Sequence, residues 1–354
     1  MKFTRFECAY FTLFAAFLYS GLNVRAEEFD RSSLIRLSNA LVKVEALAAD
    51  GALSLGTGVT VAAGRVVTNC HVTRNGESIT ILRGGLRWRA MKQLADVEHD
   101  FCLLSVPRLD ALPAEIGKAA ALMLGQEVSA LGFEGGVGLQ VRRGKITSVY
   151  LHDGNRVLRT STPFTSGASG GGLFNNAGQL VGLLTFRQRG TDGNYFSIPT
   201  EWFVPSINNA PGYLSVAPLA SELKAFWQRG QDKLPYFMQA NSLAVDRKWV
   251  ELLQLASRWE QIAKNSIEPW LARGSAYAGL ARPDEAAVSY QAALKLDPKA
   301  GEALYGLASI YSQQGYRDKY KLAEQQLRSI NPDLAQDLAN EISVKQTRSI
   351  PSKS

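Results

Sequence analysis

Gly167-Ala168-Ser169-Gly170-Gly171-Gly172-Leu173-Phe174 places one serine among four glycines. A serine hydroxyl is a weak nucleophile at neutral pH. It needs an imidazole to take its proton during attack and to return it to the leaving group. The flanking glycines let backbone N–H groups turn inward and converge on one point. There the amides of Gly167 and Ser169 would hold a tetrahedral oxyanion. Two upstream segments supply partners for such a serine. Thr68-Asn69-Cys70-His71-Val72 ends a β-branched run, and His99-Asp100-Phe101-Cys102-Leu103-Leu104 opens an apolar one. A carboxylate at Asp100 on the far ring nitrogen of His71 would fix the imidazole tautomer and stabilise the imidazolium. Within this set Ser166 is a weaker nucleophile candidate because no Gly-Gly follows it. Asp96 lacks the adjoining apolar strand, and His99 and His152 read as surface or loop residues.

The surrounding sequence reads as β structure from 39 to 205. LVKVEAL, GVTV, RVVTN, SITIL, RWRAM and FCLLSV come first; after a connector near 108–125 follow EVSALGF, LQVRRGKITSVY, RVLRTST, GGLF, QLVGLLTF and NYFSIP. Alternation and β-branching separated by Gly, Asn and Asp predict about six strands in each half, as in a sandwich or barrels. Residues 206–233 are rich in Asn, Pro, Gly and Ser at first and read as a linker with room for a helix. Beyond them Ala, Leu, Glu, Gln and Lys dominate at helical spacing. Trp270, Gly274 and Tyr277 lie at i, i+4 and i+7. Ala286, Tyr290 and Ala293 repeat that spacing, and Pro298 ends the unit. A shift of 34 residues lands on Leu304, Ala308, Tyr311, Tyr320, Glu324, Leu327 and Pro332. Leu234–Asn265 has a similar rhythm without the proline. The aromatics of these helices are expected to pack between helices.

The order His71, Asp100, Ser169 is that of chymotrypsin-like enzymes. GTGVTV, VVTNCHV, HDFCLL, ALGFEGG, RRGKITSV, GASGGGLF, GQLVGLLTF and NYFSIP together resemble the trypsin-like serine proteases of the bacterial HtrA/Deg type over roughly 40–205. The helical part resembles the tetratricopeptide repeat. The resemblance implies a multidomain β + α chain: a chymotrypsin-like double six-stranded β-barrel with its active site in the cleft, followed by an all-α repeat domain. The domain bounds read as 1–26 signal peptide, 27–205 protease, 206–233 linker, 234–343 repeats and 344–354 flexible tail. The implied activity is that of a serine endopeptidase whose repeats recruit substrates or partners. A catalytically latent adaptor is the alternative reading, and an esterase is a third. By matching position, Phe164, Leu184, Thr185, Phe186 and Tyr195 would line the primary specificity pocket. Pro163 stands where an acid would select Lys or Arg, so an apolar residue before the cut is expected. Ala168 replaces the family's usual Asn, Gly172 a proline and Tyr195 a glycine. The repeats stand where PDZ domains usually follow, and Leu131-Gly132-Phe133 is expected to belong to the second barrel despite its likeness to a PDZ carboxylate loop.

The N-terminus carries a basic start, an apolar stretch from about Cys8 to Leu22 and small residues at Val24 and Ala26. These parts make a secretory signal cleaved after Ala26, and they predict a periplasmic or secreted protein without stable membrane insertion. Export makes Cys70 and Cys102 an even pair in an oxidising compartment, and a disulfide between them is expected. Of 354 residues, 46% are hydrophobic and 20% charged, which is ordinary for globular domains. The net charge of +7 gathers into no basic block, so nucleic acid is not an expected partner. Three Cys and three His without a CxxC or HxxxH pattern predict no metal, and no cofactor is expected. Protein or peptide substrates are, and an oligomer is compatible with the family resemblance.

Overall fold

The computed structural model describes residues 31–188 and 194–348. The expected signal peptide and residues 349–354 lie outside them. LVKVEAL alternates, and its structure follows: β1 (Leu41–Leu47) sends Val42, Val44 and Ala46 into one core with Ile79 and Ile81 of β4 (Ser78–Arg83). β2 (Leu53–Ala62), β3 (Arg65–Thr68), β5 (Leu86–Arg89), β6 (Lys92–Asp96) and β7 (Phe101–Ser105) complete the first half, after helix α1 (Arg31–Ala40). RWRAM therefore does not run alone; the chain folds back at Ala90-Met91 and adds β6 against β7. The first sheet is open, with order β14-β6-β7-β3-β2-β1-β4-β5, where β14 is Leu214–Ser215. The six strands expected in this half become eight through β6 and β14.

The second half is a closed barrel of six strands. These are β8 (Glu127–Glu134), β9 (Gly138–His152), β10 (Asn155–Thr160), β11 (Gly172–Asn175), β12 (Leu180–Arg187) and β13 (Tyr195–Pro199). β9 is long enough to pair with β8 through Lys145 and with β10 from Ile146 onward. Gly144 sits at the changeover, where a Cβ would lie 2.7 Å from Thr162 N. Leu131-Gly132-Phe133 lies inside β8, as expected. One core joins the two halves: Leu41, Val59, Val67, Phe101 and Leu103 meet Leu131, Phe174, Leu183 and Phe196. Each such side chain stabilises the fold by roughly 1.5–3 kcal/mol when fully buried. This packing brings the candidate residues together from opposite sides, because the segments carrying His71 and Asp100 come from one side of the core and that carrying Ser169 from the other.

Residues 206–233 are not a free linker. After α3 (Thr200–Phe203) they form a strap along the first sheet. β14 pairs with β6, Leu219 N–H donates to Arg74 O (2.7 Å), and Phe226 N–H donates to Glu98 O (3.0 Å). Tyr213 and Phe226 are buried. Composition concealed this, because a few aromatics anchor a segment otherwise built of turn formers.

Seven helices follow: α4 (Tyr236–Val245), α5 (Trp249–Ile262), α6 (Glu268–Gly279), α7 (Pro283–Leu296), α8 (Gly301–Gln313), α9 (Arg317–Ile330) and α10 (Pro332–Arg348), these being the helices among the described residues. α7 and α9 are offset by the period read from the sequence. Tyr290 is held between Gly274 and Gly306, where an added Cβ would lie 2.6 and 2.4 Å from its ring. The α10 backbone is helical through Arg348, beyond residue 344 where a tail was expected. The helices dock on the second barrel. Phe237 stacks on Tyr150 (4.6 Å between centroids), Arg159 donates to Asn241 Oδ1 (2.7 Å), and Asn331 donates to Leu124 O. No helix among the described residues is long and apolar enough to cross a membrane.

Candidate active site

β3 ends at Thr68, and the chain turns through Asn69 into a single helical turn, α2 (Cys70–Thr73 by range, numbered in sequence after α1), which carries His71. Asp100 stands just before β7 in the left-handed region (φ 59°), a conformation that Asp tolerates better than most non-glycine residues. Its carboxylate is clamped. Oδ1 accepts the His71 backbone N–H (2.9 Å), and Oδ2 bonds His71 Nδ1 (2.7 Å). Asp100 is 1% exposed, whereas the His71 ring is 22% exposed, so one partner is buried and the other reaches the cleft. Asn69 Nδ2 donates to Asp100 O (2.8 Å) and to Thr185 Oγ1 (3.2 Å). A disulfide joins Cys70 to Cys102 with Cα atoms 4.9 Å apart, tying the His71 turn to the strand after Asp100.

Ser169 arrives from the second barrel between two left-handed glycines, Gly167 (φ 93°) and Gly170 (φ 81°). Neither site admits a Cβ: one at Gly167 would lie 2.5 Å from Phe133 O, and one at Gly170 2.2 Å from Thr57 O. Gly170 also abuts Thr68 and Asn69, which brings the Ser169 turn beside the His71 segment. Thr57 joins the two halves. Its N–H donates to Ser169 O (2.8 Å), its hydroxyl donates to Gly167 O (2.7 Å) and accepts from Phe133 N–H (2.9 Å). Among the described residues no hydrogen bond links the Ser169 hydroxyl to His71. The N–H groups of Gly167 and Ser169 likewise have no acceptor among them. Ala168 is buried, with its Cβ against Gly132.

The five expected pocket residues divide. Phe164, Leu184 and Tyr195 share one apolar cluster with Ala168, and the Phe164 and Tyr195 rings lie 5.2 Å apart. Thr185 turns its hydroxyl to Leu183 O (2.8 Å) and Asn69, and Phe186 stacks on Phe196 (4.7 Å) in the main core. The residue that the sequence did not reveal is Trp227. From the strap its indole N–H donates to Asp100 Oδ2 (3.0 Å), its ring meets His71 edge-on (5.5 Å, 85°), and it stacks on Phe186 (5.0 Å, 9°). A lone Trp in an aperiodic segment gives no pattern from which to read this.

Beside the strap, His99 bonds Asp96 (2.8 Å) and Asp153 (3.3 Å). Burial acts to lower its pKa, but these two carboxylates outweigh burial and hold it above its ordinary value. Burial lowers His152, with Asp153 opposing and His99 and Arg229 adding. Glu98, His152 and Asp153 have ligand atoms within 4.8 Å of one another, but Glu98 is already paired with Arg229. Across the barrel, α4, α6 and α8 face β9 and β10 over a cavity of about 740 Å³ lined in part by Arg159, Glu268, Tyr290 and Glu302. Burial raises the Glu302 carboxyl, against the opposing influence of Arg159 and Ser148.

Residues 56–183 match the trypsin-like peptidase domain, and residues 267–310 match the tetratricopeptide repeat. A probable periplasmic serine endoprotease, DegP-like, from Pseudomonas fluorescens is 33% identical over 159 residues, 42% of this chain and 33% of that protein. Human serine protease HTRA4 is 31% identical over 149 residues, 39% of this chain and 31% of that protein. The chain thus spans about a third of the length of these relatives. The solved active form of the Rv3671c protease from M. tuberculosis superposes with a TM-score of 0.48 at 22% identity, covering 55% of this chain and 88% of that one. Taken with the barrels and their cleft, the chain carries a trypsin-like peptidase domain related to those of the DegP and HTRA proteases, followed by a tetratricopeptide repeat.

Proposed function

We propose that the protein is an exported serine endopeptidase in which Ser169 is the nucleophile, His71 the general base and Asp100 its orienting partner. The observation that carries this reading is the buried carboxylate of Asp100, bonded to His71 Nδ1 at 2.7 Å, with the turn of Ser169 packed beside the segment that carries His71. Ser169 Oγ attacks the substrate carbonyl carbon as His71 Nε2 takes its proton. The oxyanion is received by the N–H groups of Gly167 and Ser169, which have no other acceptor among the described residues. His71 then protonates the leaving amine, and a water activated by the same imidazole releases the acyl group and restores Ser169. Phe164, Leu184 and Tyr195 support an apolar preference before the cut. Residues 27–205 would form the protease and 234–343 the repeats, which recruit protein partners. The signal-like N-terminus, the Cys70–Cys102 disulfide and the periplasmic relatives favour export to the periplasm.

The absence of a Ser169–His71 hydrogen bond favours a second reading, a latent site completed only when substrate or a partner binds. Labelling with a fluorophosphonate and cleavage of a denatured protein, for the wild type beside Ser169→Ala and His71→Ala, test both. Loss of the nucleophile is expected to cost on the order of 10⁴–10⁶ in turnover. Equal cleavage by Ser169→Ala overturns the protease reading, and a wild type that labels only with a partner present selects the latent one.

A further inference from the structure

We infer that Trp227, carried by the strap between the peptidase barrels and the helices, is a positioning residue for the Asp100–His71 pair. The inference rests on the roles proposed above for those two residues. Asp100 is sealed from solvent, so every lone pair that its carboxylate uses must meet a protein donor. Two donors come from His71, the backbone N–H on Oδ1 and Nδ1 on Oδ2. The Thr185 hydroxyl is spent on Leu183 O. The third donor is instead the Trp227 indole, 127 residues downstream of Asp100. It lies outside the matched peptidase domain, on the segment that leads into α4.

Packing fixes where that donor points. Phe226 is fully buried beside Trp227, and its N–H is held by Glu98 O two residues before Asp100. Phe186 stacks on the indole face, which leaves the N–H edge toward Oδ2 and a ring edge toward His71. The strap thus reads the position of the Asp100 loop twice, once through backbone and once through the indole.

A hydrogen bond to the shared Oδ2 disperses the carboxylate charge that holds the proton of the His71 imidazolium. Removing the donor concentrates that charge on the bond to His71 Nδ1, which shortens and draws its proton downfield. Loss of packing alone lowers the rate without strengthening that bond. Trp227→Phe keeps an aromatic ring against Phe186 and deletes the N–H.

The test uses the full mature chain. The low-field Nδ1–H resonance of His71 is compared in wild type and Trp227→Phe, alongside kcat and KM. The resonance is expected to move downfield, and kcat should fall by about 3–10-fold with little change in KM. An unmoved resonance in a folded variant overturns the inference. If wild type and Ser169→Ala are equally inactive, the proposed function fails, yet the resonance still decides the role of Trp227. If Trp227→Phe does not fold, the wild-type indole N–H resonances are followed instead. One of them should show a nuclear Overhauser contact with the His71 Nδ1–H, because both donate to Asp100 Oδ2, and none doing so overturns the inference.

Discussion

Thr57→Val tests how the first sheet and the closed barrel together hold the Ser169 turn. Thr57 is fully buried, and all of its polar groups are engaged. The substitution preserves shape and both backbone bonds, to Ser169 O and from the Thr68 hydroxyl. It deletes only the Oγ1 bridge between Gly167 O (2.7 Å) and Phe133 N–H (2.9 Å). Two backbone groups are left without partners in the interior at about 1–3 kcal/mol each, so the expected loss is about 2–6 kcal/mol. At about 2–4 °C per kcal/mol for a unit of this size, the thermal midpoint of the β domain should fall by roughly 4–24 °C. Gly167 is also freed to rotate its N–H away from the oxyanion position. Fluorophosphonate labelling below the midpoint should slow by roughly 10–100-fold, less than the roughly 10²–10³ that outright loss of one oxyanion donor costs. Thr57→Ser is the control, because it keeps the bridge and loses only a methyl group. Calorimetry and labelling rates of the three proteins decide the matter. If Thr57→Val matches Thr57→Ser in both, the bridge does not hold the turn and the reasoning is wrong.

Two further outcomes follow from the geometry. Cys70 and Cys102 are 32 residues apart, so the chain-entropy estimate for opening their link is a loss of about 3–4 kcal/mol; denaturation of the oxidised protein beside Cys70→Ser/Cys102→Ser measures it, and equal midpoints contradict it. The two histidines by the strap should give opposite pH dependences. His152 lies below its ordinary 6.5, so its stabilisation is present above that pH and is lost as pH falls through the folded value. His99 lies above 6.5, so its contribution is complete below that pH and is lost as pH rises through the folded value. His152→Phe, which keeps a ring against Phe226 (4.8 Å), should therefore flatten the acid side of the stability profile, whereas His99→Gln should flatten the side above 6.5; unchanged slopes in thermal melts across both ranges refute the assignment.

Much of the fold was legible because the signals are local. Alternation in LVKVEAL marks a strand buried on one face, and a strand is the only element that satisfies that period, whereas EVSALGF is buried on both faces from Val128 to Gly132. The recurrence from Gly274 and Ala293 to Ala308 and Leu327 marks helix pairs, because only a helix returns a side chain to the same face at those intervals. β6 escaped because KQLAD is short and mostly polar, and its place is set by β7 on one side and β14 on the other. Of the pocket residues, Phe164, Leu184 and Tyr195 gather together, but the register shift between Leu184 and Phe186 sends Thr185 and Phe186 elsewhere.

The sequence by itself singled out the candidate catalytic segments: residues 68–72 and 99–104 announce themselves by residue type, and 167–174 also by glycines whose space admits no Cβ. It also determined the repeat period, since both are properties of short windows. Only the tertiary structure decided that Trp227 bonds Asp100, that Thr57 bridges Gly167 and Phe133, and that residues 206–233 are a strap. Those facts are distances between parts of the chain up to 127 residues apart. They are fixed by how an open sheet and a closed barrel pack on a shared core and by where the strap must run to reach α4, and no local pattern of residues encodes them.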